Sequence, residues 1–216
     1  MIKKKIGILG SGQVAQVLGA GFLQHGYDVM LGTRSAMKLD EWKSKHNPKG
    51  KVGSFHEAAE FGEIIVLAVK GMIAESLVKQ LRTAISGKTV IDASNPIAEA
   101  PPENGVLKYF TAQNESLMEK LQWAVPGAHF VKAFNSVGNR QMINPVFQEG
   151  KPTMFIAGND ESARTEVSFI LDEFGWDVAD LGKAEAARPI ESLCMLWCIP
   201  GFIQNQWTHA FKLLKE

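Results

Sequence analysis

The 216 residues are 45% hydrophobic and 21% charged, a globular composition that excludes intrinsic disorder, collagen and coiled coil. Twenty-three basic residues balance twenty-three acidic ones, without the basic excess of a nucleic-acid binder, so no nucleic-acid partner is expected. At about 150 residues per domain, the length suits one domain with a small appended lobe.

The opening Met1-Ile-Lys-Lys-Lys-Ile-Gly-Ile-Leu-Gly briefly imitates a signal peptide, but its apolar run stops at Gly10. No hydrophobic stretch of membrane-spanning length follows. Cys194 and Cys198 are the two cysteines and fit a reducing compartment. These features predict a cytoplasmic protein with no membrane partner.

Lys5–Leu9 reads as a strand, followed by a helix over Gln13–His25 with Val14, Val17, Leu18 and Phe22 on one face. Gly26 suits its cap, because glycine enters the left-handed region without steric cost. Strand Asp28–Leu31, a polar helix near Lys38–His46 and a short strand Lys51–Ser54 come next. Glu63–Val69 is continuous and β-branched, as a parallel strand buried on both faces should be. Ala74–Ile85 reads as its helix and Thr89–Ala93 as the fifth strand. Asn95–Gly105 and Gly138–Pro152 lack periodicity and read as loops. Between them lie a helix near Glu115–Trp123 and strand His129–Phe134. Strand Thr153–Ile156, helix Glu161–Phe174, strand Trp176–Asp180 and apolar helical material on both sides of Pro200-Gly201 complete the chain.

Alternating strands and helices predict an α/β fold, a Rossmann-type doubly wound and mostly parallel sheet with a small C-terminal extension. The expected organisation is a single dinucleotide-binding domain over 1–216. Within it, about 1–136 forms the nucleotide-binding core and about 137–216 a smaller lobe.

Gly10-Ser11-Gly12-Gln13-Val14-Ala15 fits the G-x-G-x-x-G/A fingerprint between a strand and a helix. Gly10 permits the tight turn, Gly12 lets backbone approach a pyrophosphate, and Ala15 lets the helix pack against the sheet. Amides of the first helical turn then face the phosphates. Past the second strand an NAD site usually has an acid, whereas this chain reads Leu31-Gly32-Thr33-Arg34-Ser35, with no acid until Asp40. An arginine between two hydroxyls, with Lys38 beyond, suits the 2′-phosphate of NADP(H).

No catalytic acid or base is evident. Neither tyrosine heads a Tyr-x-x-x-Lys pattern: Tyr109 is followed four places on by Gln113, and Tyr27 by Leu31. No zinc spacing appears, and no metal ligands are assigned. The histidines are scattered, with His25 and His56 near helix ends, His46 before a turn, His129 at a strand start and His209 in the last helix. Cys194 and Cys198 read as buried small hydrophobes, and Arg188 with Glu191 as a helix pair at i, i+3. Without an acid or base, the suitable chemistry is bare hydride transfer, in which positioning supplies the catalysis.

The segments Gly10–Ala15, Gly32–Ser35, Val90-Ile-Asp-Ala-Ser-Asn-Pro96, Val131-Lys-Ala-Phe-Asn-Ser-Val-Gly138 and Met154-Phe-Ile-Ala-Gly-Asn-Asp160 together carry a resemblance. The chain resembles the NADPH-dependent reductases of the deazaflavin coenzyme, factor 420. It is also similar to the cytosolic oxidoreductase domain of the six-transmembrane epithelial metalloreductases. The resemblance implies that Gly10, Ser11, Gly12, Gln13 and Val14 hold the pyrophosphate, and that Thr33, Arg34 and Ser35 hold the 2′-phosphate. It puts Ala68 and Val69 along the adenosine half, and Asn95, Pro96, Ala133, Phe134 and Asn135 on the nicotinamide side. It further implies a homodimer, with Leu193–Phe211 as one possible contact. The leading expectation is an oxidoreductase passing hydride from NADPH to a deazaflavin or a flavin-type acceptor, FMN or FAD. A flavin-assisted ferric or cupric reductase and a non-catalytic NADPH-binding sensor are the competing readings.

Overall fold

A computed structural model describes residues 3–214; Met1 and Ile2, part of the basic opening stretch, lie outside the described residues. Strands β1 (Ile6–Leu9), β2 (Val29–Gly32), β3 (Gly50–Gly53), β4 (Ile64–Leu67), β5 (Thr89–Asp92) and β6 (His129–Lys132) form one sheet. Their order is β3-β2-β1-β4-β5-β6, and every pairing is parallel. This is the doubly wound arrangement, in which the order reverses between β1 and β4 and leaves a crevice beyond their carboxyl ends. Strands β7 (Thr153–Ile156) and β8 (Asp177–Asp180) make a separate parallel pair. An antiparallel bridge between Lys132 and Ala157 connects that pair to the edge of the main sheet.

The strands alternate faces with a period of two, so each feeds two cores. Ile64 and Val66 point into one core with Ile6, Ile8 and Leu31, while Ile65 and Leu67 join Val90 in the other. Helices α1 (Gln13–Gln24), α2 (Asp40–His46) and α7 (Glu161–Glu173) cover the first face. Helices α3 (Phe55–Phe61), α4 (Gly71–Gln80), α5 (Arg82–Ile85) and α6 (Leu117–Ala124) cover the second. Phe174, fully buried, joins the lobe to the first core through edge contact with Phe22 at 4.9 Å between ring centres.

Three local expectations need correction. Helix α3 was not foreseen, yet Ser54 and Glu57 form a reciprocal capping box at its start, a pattern with a recognisable sequence signature. Ala74–Ile85 is two helices, because the turn breaks at Leu81, whose ψ is 7°. Helix α8 (Ala187–Gln204) runs through Pro200 and ends at Asn205 in the left-handed conformation, so His209 lies outside any helix. The following segment folds back, with the Trp197 indole N–H donating to the His209 carbonyl at 2.8 Å and the His209 ring stacked on Trp197.

Candidate functional site

Beyond the carboxyl ends of β1 and β4 lies a cleft of about 690 Å³, within the usual size of ligand sites. One wall is the turn from β1 into α1, contributing Gly10, Ser11, Gly12, Gln13 and Val14. Gly10 has φ +154°, and a Cβ there would stand 2.3 Å from the Ala68 carbonyl oxygen, so only glycine fits. Gly12 differs: a Cβ on it would meet nothing within 4 Å. That free space belongs to the cleft and leaves the backbone at Gly12 open to it. Ala15, in the third fingerprint position, is fully buried beneath the turn.

The second wall leaves β2. Thr33, Arg34, Ser35 and Lys38 all line the cleft, and Arg34 and Lys38 are exposed to solvent. The Thr33 hydroxyl is engaged locally: it accepts from the Ser35 amide at 3.1 Å and donates to the Ser35 carbonyl at 3.2 Å. Thr33 therefore shapes the turn, leaving Arg34, Ser35 and Lys38 as groups available to an anion. Ala68 and Val69, following β4, close the cleft on the opposite side.

Phe55, Lys70, Ile73, Ala93 and Glu99 also line it, though none was singled out from the sequence. Phe55 opens the unforeseen helix α3, so the Ser54–Glu57 capping signature would have brought it into view. Lys70 follows the strongest strand, at the end where such crevices form. Glu99 comes from the aperiodic loop after β5.

A second hollow of about 370 Å³ continues from the cleft and shares Val69, Lys70, Ala93 and Glu99 with it. Its floor carries Ser94 and Asn95, and Met72 and Ile97 add apolar surface. The Asn95 amide donates to the Asn135 carbonyl oxygen at 2.9 Å, and Asn135 donates to the Ile190 carbonyl oxygen at 2.8 Å. Among the residues expected on this side, Asn95 lines the hollow, whereas Pro96, Ala133, Phe134 and Asn135 are buried behind it. The Phe134 ring points into the core, 6.2 Å from that of Phe174, and its φ of +60° turns the chain out of β6.

Arg188 and Glu191 do not pair with each other. Arg188 reaches Glu119 of α6 at 2.6 Å, while Glu191 meets Lys132 of β6 at 2.8 Å. Tertiary partners outcompete the i, i+3 contact because both carboxylates are buried and need strong donors. Cys194 and Cys198 are free and buried, packed against Leu107 and Trp197. Among the described residues, no group of three or more His, Cys, Asp or Glu side chains is placed to hold a metal ion. No helix among them is long and apolar enough to cross a membrane.

Residues 5–96 match the family described as NADP oxidoreductase, coenzyme F420-dependent. The F420-dependent NADP reductase of Methanocaldococcus jannaschii is 26% identical over 206 residues, covering 89% of this chain and 90% of that protein. Metalloreductase STEAP3 of Rattus norvegicus is 27% identical over 198 residues, covering 88% of this chain. The chain spans only 36% of that relative's length. Among solved structures, a candidate F420-dependent NADP-reductase from Arthrobacter sp. FB24 superposes with a TM-score of 0.90 at 26% identity, covering 98% of this chain and 100% of that one. The resemblance read from the motifs therefore stands, and so does the Rossmann-type sheet.

Proposed function

We propose that the protein is an NADPH-dependent oxidoreductase that passes hydride to a deazaflavin or flavin-type acceptor. The observation that carries this reading is the meeting of two features in one cleft. A glycine turn with open space at Gly12 stands opposite Arg34, Ser35 and Lys38 at the position where an NAD site would have an acid.

In this reading the amides after Gly10 and Gly12 hold the pyrophosphate, and Arg34, Ser35 and Lys38 hold the 2′-phosphate. Thr33 sets the turn that presents them. Ala68 and Val69 support the adenosine half, and Asn95 stands on the nicotinamide side. Phe134 and Asn135 shape that side from behind. Bound there, NADPH supplies a hydride to the acceptor, which takes its proton from water, giving NADP⁺ and the two-electron-reduced acceptor. The second hollow is the acceptor's place, since it opens directly from the cleft and offers Met72 and Ile97 as apolar walls. Lys70 and Glu99 stand at the junction of the two spaces.

The protein works as a cytoplasmic homodimer, its contact formed by Leu196, Phe202 and Ile203 on α8, which are 54%, 45% and 61% exposed. Residues from about 137 onward form the lobe that carries this surface.

The test is NADPH consumption on adding the oxidised deazaflavin coenzyme, with FMN in parallel. Rapid oxidation by the deazaflavin is expected. Turnover with FMN alone moves the acceptor to the flavins, including a flavin-assisted metal reductase. Tight NADPH binding without turnover by either acceptor overturns the enzyme reading in favour of a sensor.

A further inference from the structure

Asp92 and Lys132 end neighbouring parallel strands and are register partners. Both side chains are fully buried, and the Lys132 ammonium lies 2.6 Å from Asp92 Oδ2 and 2.8 Å from Glu191 Oε1. Its third contact, at 2.9 Å, is the carbonyl oxygen of Ser94. The ammonium thus has one hydrogen bond to main chain and two carboxylates at ion-pair distance.

Each acid has further partners. Asp92 Oδ1 accepts from the Ser94 amide at 2.9 Å and from its hydroxyl at 2.5 Å. Glu191 accepts from the first amides of α6, Leu117 at 2.9 Å and Met118 at 3.0 Å. Glu191 thereby stands at the start of α6, where the free amides of the first turn favour a carboxylate. Burial acts against the Lys132 charge, but Asp92 and Glu191 outweigh it and hold the ammonium above the ordinary lysine value.

A buried ion pair is a poor device for stability alone, because well-packed apolar residues of similar volume often do as well or better. What apolar residues cannot do is hold a loop carbonyl at a fixed point. Ser94 is held from two sides, by Asp92 through its amide and by Lys132 through its carbonyl, and Asn95 follows with its own tie to Asn135. Ser94 and Asn95 are the floor of the second hollow.

We infer that Lys132 is a positioning residue, which fixes the Ser94–Asn95 floor so that the reactive half of the bound dinucleotide and the acceptor meet in register. This inference rests on the function proposed above. Lys132 lines neither the cleft nor the hollow, so it acts through the Ser94 carbonyl and not by contact with substrate.

The test compares wild type with Lys132→Met and Glu191→Gln, measuring affinity for 2′,5′-ADP, affinity for NADPH, the nicotinamide fluorescence of bound NADPH, and kcat with the deazaflavin coenzyme. The probe 2′,5′-ADP needs only the turns after β1 and β2, so its affinity should stay within about twofold in both variants. For Lys132→Met, kcat should fall about 10- to 100-fold, the scale of a displacement of about 1 Å at a reacting centre. NADPH fluorescence should move toward that of the free dinucleotide. Glu191→Gln keeps an oxygen for Lys132 and should lose about threefold in kcat, a fraction of the same positioning effect; it carries the test if Lys132→Met fails to fold. Wild-type kcat and fluorescence in the folded variants, or equal weakening of 2′,5′-ADP and NADPH, would overturn the inference alone. A wild-type protein that binds no NADPH would remove the parent reading, and the inference with it.

Discussion

The amide of Gly10 donates to the carbonyl oxygen of Gly32 across 3.1 Å, fastening the turn that leaves β1 to the turn that leaves β2. The two turns carry different parts of the proposed cofactor site, the pyrophosphate cradle on one and Arg34 with Ser35 on the other. That tie is main chain to main chain, so replacing an exposed side chain such as Arg34 leaves it intact.

Arg34→Ala should therefore weaken NADPH about tenfold to a hundredfold, corresponding to ~1.5–3 kcal/mol for a charge-assisted hydrogen bond, and weaken NADH far less. Titration calorimetry with both nucleotides checks this. Equal losses would show that Arg34 does not recognise the 2′-phosphate.

The two fingerprint glycines should fail in different ways. Gly12→Val adds a side chain to open space but puts a poor N-cap on α1, so stability should fall by only about 1 kcal/mol, while NADPH affinity falls at least about tenfold as backbone approach is blocked. Gly10→Ala meets the Ala68 carbonyl at 2.3 Å with φ at +154°. Its cost should be about 2–4 kcal/mol of folding stability from overpacking and backbone strain. Urea denaturation beside nucleotide titration separates the two effects.

What the sequence made legible is what depends on neighbours in the chain. The β1–α1 fingerprint places all five of its expected residues on the cleft, and the Thr33–Ser35 turn and Lys38 follow. Strand β7 falls on its expected bounds. Burial defeats the reading of Arg188 and Glu191, since their partners lie on α6 and β6, far away in sequence. Lys132 belongs to the Val131–Gly138 segment of the resemblance, yet the role inferred for it depends on the β5–β6 register, which spacing along the chain does not encode. Phe134 follows a strand end, as cleft residues do, yet its ring is buried in the core near Phe174.

Phe174→Ala should cost about 3–5 kcal/mol, the range for removing a buried aromatic ring. Its ring contacts Phe22 of α1 and faces Phe134 after β6, so the loss should appear as one cooperative shift in urea midpoint. A separate early transition of the lobe would contradict the shared core described for α1 and α7.

Acid should destabilise the fold through Glu119 and Glu173. Burial opposes charge on both, but Arg188 and Ser116 hold Glu119 below the usual carboxylate range, and Lys3 and Tyr27 do the same for Glu173. With folded values depressed, the unfolded chain binds more protons, so their contribution is complete above the unfolded value of about 4.3 and is lost as pH falls toward the folded values. Tm should decline slightly below about pH 6.5, where the unfolded chain protonates His46 while burial and Lys45 depress its folded value, and should fall steeply below about pH 4.5. Glu119→Gln should make that acid slope shallower, and an unchanged slope would exclude Glu119 as a source.

A ribosome delivers the strands of the main sheet well before Glu191, the last acceptor of the Lys132 ammonium. Until α8 emerges, Lys132 has Asp92 and the Ser94 carbonyl alone, and the first amides of α6 lack their carboxylate. Vectorial synthesis thus supplies the residues of the proposed cofactor cradle early and the last support of the second hollow's floor late.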